Sequence, residues 1–541
     1  MVAEASDIKT VFTDQFALSE TRHERELFLK SLAFDRMDHR QESIVPPSDR
    51  TFNWIFNREG MGNNQTYDRQ RASDTYLQWL KDGSIYWVNG KAGSGKSTLM
   101  SYLVEHQETR AALAGWEGQH QLRLLSFFFW RAGSHLRRNT TGLLRTILHQ
   151  LLSSSADLCD NVRSFSSMPP NPTWTEAALR RNLQYAFGQL TDARIRLFLD
   201  GLDEFEGDCN ALLELLLTLQ KLGTVKMCLS SRPEPAIVAR LSGLPGMCLS
   251  TLNGEDIRVF AEERLAVCEI PLTRFAVEIC TRAEGVFLWA VLVTRSLVDG
   301  SQSGDSITDL AKRLLFCPRE LEDLWEHLLA SVHDAHMESL AFYLHVLKLG
   351  PRLGNDKTTL AWVAASSLEA PEQSLEDFVT SGHNLVKQIP FRSKGLLEIQ
   401  PNSQGIGSGL RRSYHCPDGS WERVNTDDTV MASAVGIYYS EIKWAHRSAF
   451  DFIMKSGSSN ALRRVNNVAL DAKFHQRSFD GLLWIATHLP TQYPCDGSPD
   501  VLEHLVLVRK YLENAMRPDM DIGLPQSPRR ALSAICQNRQ A

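Results

Sequence analysis

The chain has 541 residues, of which 43% are hydrophobic, and its formal net charge is −6 at pH 7. This length predicts about three to five domains, and the charge argues against a protein that binds nucleic acid through a basic surface. The sequence has no run of about 18 apolar residues that could span a membrane. Its ten cysteines include no C-x-x-C pair, which favours reduced thiols in a cytoplasmic protein over a zinc site or a disulfide framework. The first 15 residues contain three acidic side chains and no apolar segment, so they do not predict a signal peptide.

Residues 1–50 predict a helical lead, and residues 51–255 predict a domain in which strands and helices alternate. Four apolar runs predict strands: Ile85–Val88, Leu122–Phe129, Ile195–Leu199 and Val225–Leu229. Helical patterns lie between them, such as Gly142–Leu152 and Glu176–Leu190. Alternation of this kind is typical of a parallel sheet, and strands this apolar are buried on both faces. The predicted fold class is therefore α/β, with a parallel sheet covered by helices.

The loop after the first predicted strand matches the phosphate-binding pattern G-x-x-x-x-G-K-[ST] without a gap. Its residues are Gly90-Lys91-Ala92-Gly93-Ser94-Gly95-Lys96-Ser97, and a helical stretch begins at Thr98. The glycines let the backbone wrap around phosphate oxygens with N–H groups pointing inward. Lys96 is expected to reach the outer phosphates and Ser97 to help hold Mg²⁺, while the helix N-terminus adds its dipole. The sequence thus predicts a site for ATP or GTP with Mg²⁺.

A second element of such a site follows the third predicted strand, which ends in Asp200-Gly201-Leu202-Asp203-Glu204. A carboxylate at the end of a buried strand is where P-loop proteins hold the metal. Asp200 is the predicted metal-side residue, and either Asp203 or Glu204 is expected to orient an attacking water. A carboxylate after a strand is often only a turn or cap residue, but here it accompanies a complete phosphate loop.

The fourth predicted strand ends in Ser230-Ser231-Arg232-Pro233. An arginine at this edge of a sheet can contact a γ-phosphate and report its presence. The alternative is an arginine that pairs with a surface carboxylate. We favour the γ-phosphate role for Arg232, because its strand is predicted to end at the same sheet edge as the loop.

The pattern changes after about Thr251, where strands give way to helices. Helices are predicted over Asp256–Leu265, Arg274–Arg282, Phe287–Leu297 and Leu321–Val332. Further on, a short strand at Gly395–Ile399, a polar loop and a returning strand at Tyr438–Trp444 are typical of a winged-helix module. We therefore predict a helical domain over 256–345, a winged-helix-like module over 346–465 and a helical tail over 466–541.

These residues together resemble the NACHT branch of STAND-type P-loop NTPases, and more narrowly fungal NACHT proteins with a nephrocystin-like N-terminal P-loop domain. The phosphate loop, the Asp200–Glu204 segment and Ser231-Arg232-Pro233 correspond to that family's Walker A, Walker B and sensor motifs. Supporting matches are Thr51-Phe52-x-Trp54, Phe127-Phe128-Phe129 and Gly285-Val286-Phe287-Leu288-Trp289-Ala290. The adenine-contacting G-x-P motif of NOD-like receptors is replaced by Gly285-x-Phe287, where the aromatic ring either stacks on a base or packs in the helical core.

The resemblance also implies a role for His446 in the winged-helix-like module. In animal NOD-like receptors a histidine at this place, followed five and six positions on by Glu and Phe, contacts the β-phosphate of ADP. His446, Asp451 and Phe452 have that spacing. An imidazole can donate a hydrogen bond to a phosphate, although a core or capping histidine is an equally good interpretation.

The resemblance implies a nucleotide-dependent signalling switch. ADP would be bound in the closed state, and the protein would self-associate once ATP has replaced ADP. Slow NTP hydrolysis would reset it, and the output would be fungal non-self recognition or cell death through an unknown protein partner. Two alternatives stay open: a truncated, non-signalling nucleotide-binding module that lacks effector and sensor repeats, and an ATPase machine of high turnover.

Overall fold

The protein is described here from a computed structural model. It covers residues 21–34, 37, 39–48, 50–56, 64–111, 121–166, 173–190, 193–221, 225–268, 272–352, 360–368 and 373–400, with short stretches between 414 and 485. The chain divides into two compact units, Met1–Arg319 and Glu320–Ala541. The finer division into five parts stays a prediction.

The first unit contains a five-stranded sheet in which every pairing is parallel. Its strands are β1 Ile85–Asn89, β2 Gln121–Phe128, β3 Ala193–Asp200, β4 Val225–Ser231 and β5 Gly246–Cys248. They are ordered β2-β3-β4-β1-β5, so β1, which leads into the phosphate loop, lies beside β4 and one strand away from β3. The predicted parallel sheet covered by helices is confirmed.

β5 is not predicted from the sequence, because three residues are too short to show a strand pattern. Its first residue pairs with Trp87 of β1. A Cβ atom at Gly246 would lie 2.2 Å from the carbonyl oxygen of Trp87. Only glycine therefore lets the chain pass this close to β1.

Helices surround the sheet. Residues 21–32 and 107–111 are helical. The other helices of the first unit are α1 His39–Glu42, α2 Asn64–Asp82, α3 Lys96–Glu105, α4 Thr140–Ser153, α5 Ala156–Ser166, α6 Glu176–Gln189, α7 Cys209–Gln220, α8 Pro235–Leu241, α9 Leu249–Leu252, α10 Gly254–Leu265, α11 Ala276–Ala283, α12 Phe287–Gln302 and α13 Ile307–Phe316.

The two faces of the sheet bury separate apolar clusters, since successive residues of a strand point to opposite faces. On β3, Leu197 and Leu199 belong to the cluster that includes side chains of α4 to α8. Phe198 lies between them and belongs to the opposite cluster, with side chains of α2 and α3. This arrangement explains why the strands consist of continuous apolar runs.

The second unit is mainly helical and contains a small antiparallel sheet. Its helices are α14 Leu321–Ala330, α15 Met337–Arg352, α16 Leu360–Ser366, α17 Leu375–Arg392 and α18 Arg447–Lys455. Its strands are β6 Leu397–Gln400, β7 Tyr414–His415, β8 Trp421–Glu422 and β9 Glu441–Trp444, and β6 pairs with β9. The two predicted strands at 395–399 and 438–444 thus pair with each other. The winged-helix assignment stays a prediction, and the predicted tail over 466–541 lies almost wholly outside the described residues.

Seven cysteines lie in the described part of the chain, and none of these forms a disulfide. No helix in the described ranges has both the length and the apolarity that crossing a membrane requires.

Candidate functional site

The phosphate-loop residues form a tight turn between β1 and α3. Gly93 and Gly95 have φ angles of 71° and 95°, in the left-handed region that favours glycine. Gly95 is the N-cap residue of α3, with no side chain to cap the helix. The first N–H groups of α3 therefore lie next to the loop, as anion binding at a helix N-terminus requires.

The side chain of Lys96 reaches back across this turn. Its ammonium donates to the carbonyl oxygens of Gly90 and Lys91, both at 2.9 Å. Burial lowers the pKa of Lys96 to about 8, although the carboxylates of Asp203 and Asp200 act in the opposite direction. Lys96 thus lies close to Asp200 and Asp203, two of the three carboxylates predicted for the site.

Asp200 is the last residue of β3 and is 2% exposed. Burial raises the pKa of its carboxyl group, and the hydroxyls of Ser97 and Ser230 partly counteract this. Asp200 therefore lies beside Ser97, as the predicted metal site requires. Its Oδ1 atom is buried and has no hydrogen-bond partner of good geometry in the described part of the chain.

A buried carboxylate oxygen without a donor, next to a serine hydroxyl, fits the side of a Mg²⁺ site that the protein supplies. Mg²⁺ is commonly held by one or two protein oxygens, with waters and substrate phosphates completing its shell. No group of three or more His, Cys, Asp or Glu side chains suited to a metal was found among the described residues. Ser97 and Asp200 fit the protein's share of a site for Mg²⁺ bound together with a nucleotide.

The other predicted catalytic residues already have partners. Asp203 accepts a hydrogen bond from the backbone N–H of Arg232 at 2.9 Å and pairs with its Nε at 3.2 Å. Glu204 accepts a hydrogen bond from the backbone N–H of Arg131 at 2.8 Å. Arg232 thus meets a buried carboxylate at the sheet edge, because β3 and β4 are neighbours. The roles of Asp203, Glu204 and Arg232 in catalysis stay predictions.

His446 lies in the second unit, at the start of α18. Its Nδ1 accepts a hydrogen bond from the backbone N–H of Ser448 at 3.0 Å and lies 2.9 Å from the Ser448 hydroxyl. Asp451 pairs with Arg447 at 3.3 Å, and Phe452 is 4% exposed. Within its unit, His446 therefore acts as a helix cap, and its contact with ADP stays a prediction.

The upstream Thr51-Phe52-x-Trp54 match also has a structural role. The indole of Trp54 donates to Asp256 of α10 at 3.1 Å, and Arg69 of α2 pairs with the same carboxylate at 3.2 Å. Burial raises the pKa of Asp256 to about 6, against the effect of Arg69. This cluster connects α2 and the segment before it to α10.

Two residues near the phosphate loop and Asp200, Arg40 and Asn253, are not predicted from the sequence. The positive charge of Arg40, in α1, lowers the pKa of Asp200, and its guanidinium lies 5.7 Å from the ring centre of Trp130. The fully buried amide of Asn253 donates to the carbonyl of Ser94 within the phosphate loop at 2.8 Å. Neither residue belongs to a motif: Arg40 lies in the helical lead, and Asn253 resembles an ordinary residue before a helix.

The fold and the site define the class of this domain. It is a P-loop NTPase domain, with a parallel sheet, a phosphate loop after β1 and a buried aspartate at the end of β3. Within this class, residues 65–232 match the family model of the nephrocystin 3 N-terminal domain. The nephrocystin-like P-loop domain predicted from the sequence is thereby confirmed for this segment.

The chain is also similar to the vegetative incompatibility protein HET-E-1 of Podospora anserina. The two are 28% identical over an alignment of 278 residues, and the match covers 48% of this chain and 20% of the relative. The chain thus matches only about a fifth of that protein's length.

Among solved structures, the chain is similar to the Aeropyrum pernix ORC1 protein in complex with DNA, with 12% identity and a TM-score of 0.33, over 78% of this chain and 98% of that one. It is also similar to Cdc6p from Pyrobaculum aerophilum, with 13% identity and a TM-score of 0.30, over 64% and 91% of the two chains. Superpositions this loose have no bearing on function.

Proposed function

We propose that this protein is a nucleotide-dependent signalling switch that binds ADP or ATP together with Mg²⁺. One observation supports this most: an oxygen of Asp200 without a hydrogen-bond partner of good geometry lies buried beside Ser97, near Lys96 and the phosphate loop. Such an arrangement suits a triphosphate bound together with Mg²⁺. GTP stays an alternative nucleotide, since no contact in the described part of the chain selects between adenine and guanine.

In this proposal Lys96 binds the outer phosphates, while Ser97 and Asp200 hold Mg²⁺, which neutralises phosphate charge. Arg232 distinguishes ATP from ADP, because its guanidinium can contact a γ-phosphate that only ATP carries. A ligand shifts a conformational equilibrium only through contacts that differ between the two states. The γ-phosphate supplies such a difference.

Hydrolysis in this proposal is slow and serves to reset the switch. Asp203 and Glu204 are the candidates for orienting an attacking water, yet both accept hydrogen bonds from backbone N–H groups. Carboxylates held in this way have less freedom to orient water than an unengaged base. These contacts favour slow turnover over the rapid cycle of an ATPase machine.

The biological output belongs to the same proposal. The matched relative is named a vegetative incompatibility protein, which suggests fungal non-self recognition or regulated cell death as the process. We place the protein in the cytoplasm, where thiols stay reduced, with ADP at rest, self-association in the ATP state and a protein partner downstream.

The test is size-exclusion chromatography with light scattering, with Mg-ADP and with Mg²⁺ plus a non-hydrolysable ATP analogue. We expect the smaller species with ADP, a larger species with the analogue, and no shift for Lys96→Ala. Nucleotide binding without a change of mass would instead indicate a non-signalling module. A separate assay of phosphate release from Mg-ATP completes the test, and rapid release would indicate an ATPase machine. Either result would overturn the switch.

A further inference from the structure

Asn253, which belongs to none of the nucleotide-binding motifs, donates a hydrogen bond to a carbonyl of the phosphate loop. Asn253 lies between α9 and α10 and is fully buried. Its Nδ2 donates to the carbonyl oxygens of Ser94 at 2.8 Å and Gly285 at 2.9 Å. Because both partners can only accept, the amide must present its NH₂ group to them, and its orientation is determined.

A second contact joins the same part of the loop to α12. The backbone N–H of Leu288, in the first turn of α12, donates to the carbonyl of Gly93 at 2.9 Å. The first N–H groups of a helix have no partner within the helix. Here one of them is satisfied by the phosphate loop itself.

The geometry of Gly285 keeps the start of α12 close to α9. Gly285 has a φ of 79°, and a Cβ atom there would lie 1.8 Å from the carbonyl oxygen of Ser250. The segment from 284 to 288 therefore lies directly against the residues that precede Asn253. One buried amide bridges this segment and the loop.

We propose that Asn253 is a positioning residue that couples the phosphate loop to helices α10, α11 and α12. The proposal rests on the proposed nucleotide binding. In such a loop the N–H groups face phosphate and the carbonyls face away, and here the carbonyls of Gly93 and Ser94 bind the helical segment. The N–H of Ser94, in the same peptide group as the Gly93 carbonyl, donates to the Lys91 carbonyl at 3.3 Å. The N–H of Gly95 shares its peptide group with the Ser94 carbonyl, so phosphate bound to that N–H polarises the group and strengthens the hydrogen bond from Asn253. Nucleotide binding thus tightens the attachment of α12, and by reciprocity the attachment strengthens nucleotide binding.

The first test is hydrogen–deuterium exchange of the full chain with and without Mg-ADP. We expect ADP to slow exchange across residues 286–290 in the wild type. In Asn253→Ala this slowing should disappear. The dissociation constant for ADP should rise about tenfold, since the two hydrogen bonds from Asn253 to the carbonyls of Ser94 and Gly285 are lost. Asn210→Ala, which changes an exposed asparagine elsewhere in the same unit, should match the wild type in both measurements.

A second variant provides a readout that simple loss of packing would not produce. In Asn253→Asp an ionised carboxylate would face two carbonyl oxygens and could not donate to them. Burial raises the pKa of such a carboxyl group, so at pH 6 part of it is protonated and can donate one hydrogen bond. The ratio of its ADP dissociation constant to that of the wild type should therefore fall from pH 8 to pH 6, whereas the ratio for Asn253→Ala should stay constant.

The outcomes separate the coupling from the proposed function. If the wild type does not bind ADP, the nucleotide switch itself is overturned. If the wild type binds ADP but exchange over 286–290 is unaffected, or a folded Asn253→Ala behaves as the wild type does, only the coupling is overturned. Where the alanine variant does not fold, the pH dependence of ADP binding by Asn253→Asp decides the matter: a ratio of dissociation constants that stays constant from pH 8 to pH 6 would overturn the coupling.

Discussion

The ammonium of Lys96 is held by two carbonyl oxygens of its own loop, in surroundings that favour its neutral form. Burial lowers its pKa to about 8, despite two nearby carboxylates. In the ligand-free protein, the contribution of Lys96 to the free energy of unfolding should rise between pH 8 and 10.5, because this side chain then binds more protons in the unfolded chain than in the folded one. Nucleotide affinity should follow the opposite trend, since phosphate binds the charged form.

We therefore expect the dissociation constant for ADP to rise as pH increases above 8, approaching about tenfold per pH unit. Isothermal titration calorimetry between pH 7 and 9.5 measures it. Lys96→Arg is the matched variant, because a guanidinium stays charged throughout this range, and its affinity should be nearly independent of pH. Lys96→Ala should abolish binding. A wild-type affinity that stays flat to pH 9.5 would contradict the placement of Lys96 at the phosphates.

His446 has two possible roles, a helix cap and a phosphate ligand, and one pair of substitutions separates them. Asn is a good N-cap residue, whereas Ala is a poor one, and losing a cap costs about 1 kcal/mol. His446→Ala should thus lower the free energy of unfolding, and His446→Asn should largely preserve it.

If the imidazole contacts ADP, both variants should weaken ADP binding and leave the affinity for the ATP analogue nearly unchanged. The comparison requires urea unfolding and calorimetry on the same preparations. Wild-type ADP affinity in His446→Asn would leave His446 with the capping role alone.

At the scale of elements, the sequence was most informative about the strands. The ends of the four predicted strands lie within two residues of those of the observed β1 to β4, because a strand buried on both faces needs a continuous apolar run. Arg196 interrupts the run in β3, yet it is fully buried. Its guanidinium donates to the carbonyl of Leu80 at 2.7 Å and lies over the ring of Trp79. A cation at the C-terminal end of α2 is favourable, but only the packing of α2 on the sheet reveals that partner.

The segment that enters α12 depends on a glycine, and two glycines of the first unit allow a controlled test. Gly285 and Gly304 have φ angles of 79° and 89°. A Cβ atom would overlap the Ser250 carbonyl at the first position and meet nothing within 4 Å at the second.

Gly304→Ala should therefore show only the backbone cost of a left-handed residue, about 1–2 kcal/mol. Gly285→Ala should cost clearly more, because backbone atoms must shift as well. Urea denaturation of both variants measures the difference. Equal losses of stability would show that the contact between α9 and the start of α12 can relax freely.

At the scale of the whole molecule, every contact assigned to the phosphate loop and the metal side lies within residues 1–319. This unit contains the sheet, Lys96, Asp200, Arg232 and Asn253. His446 belongs to the other unit.

A chain truncated after Arg319 is therefore expected to bind Mg-ADP and Mg-ATP with similar affinities, without preferring the ADP that His446 is proposed to hold. Calorimetry on the truncated and full chains makes the comparison, with Lys96→Ala in the truncated chain as the control for specific binding. If a well-folded truncated chain retained the full ADP preference, the second unit would have no part in locking the resting state.

The sequence by itself determined the phosphate loop, the apolar strands on either side of it and Asp200, because these features depend on local residue types: glycines for left-handed turns, apolar runs for buried strands and a carboxylate at a strand end. Only the tertiary structure decided that Asp203 is paired with Arg232, that Arg40 acts on Asp200, and that Asn253 connects the loop to α12. Those partners are separated by 29 to 160 positions along the chain, and no local pattern records a contact formed when distant segments pack together.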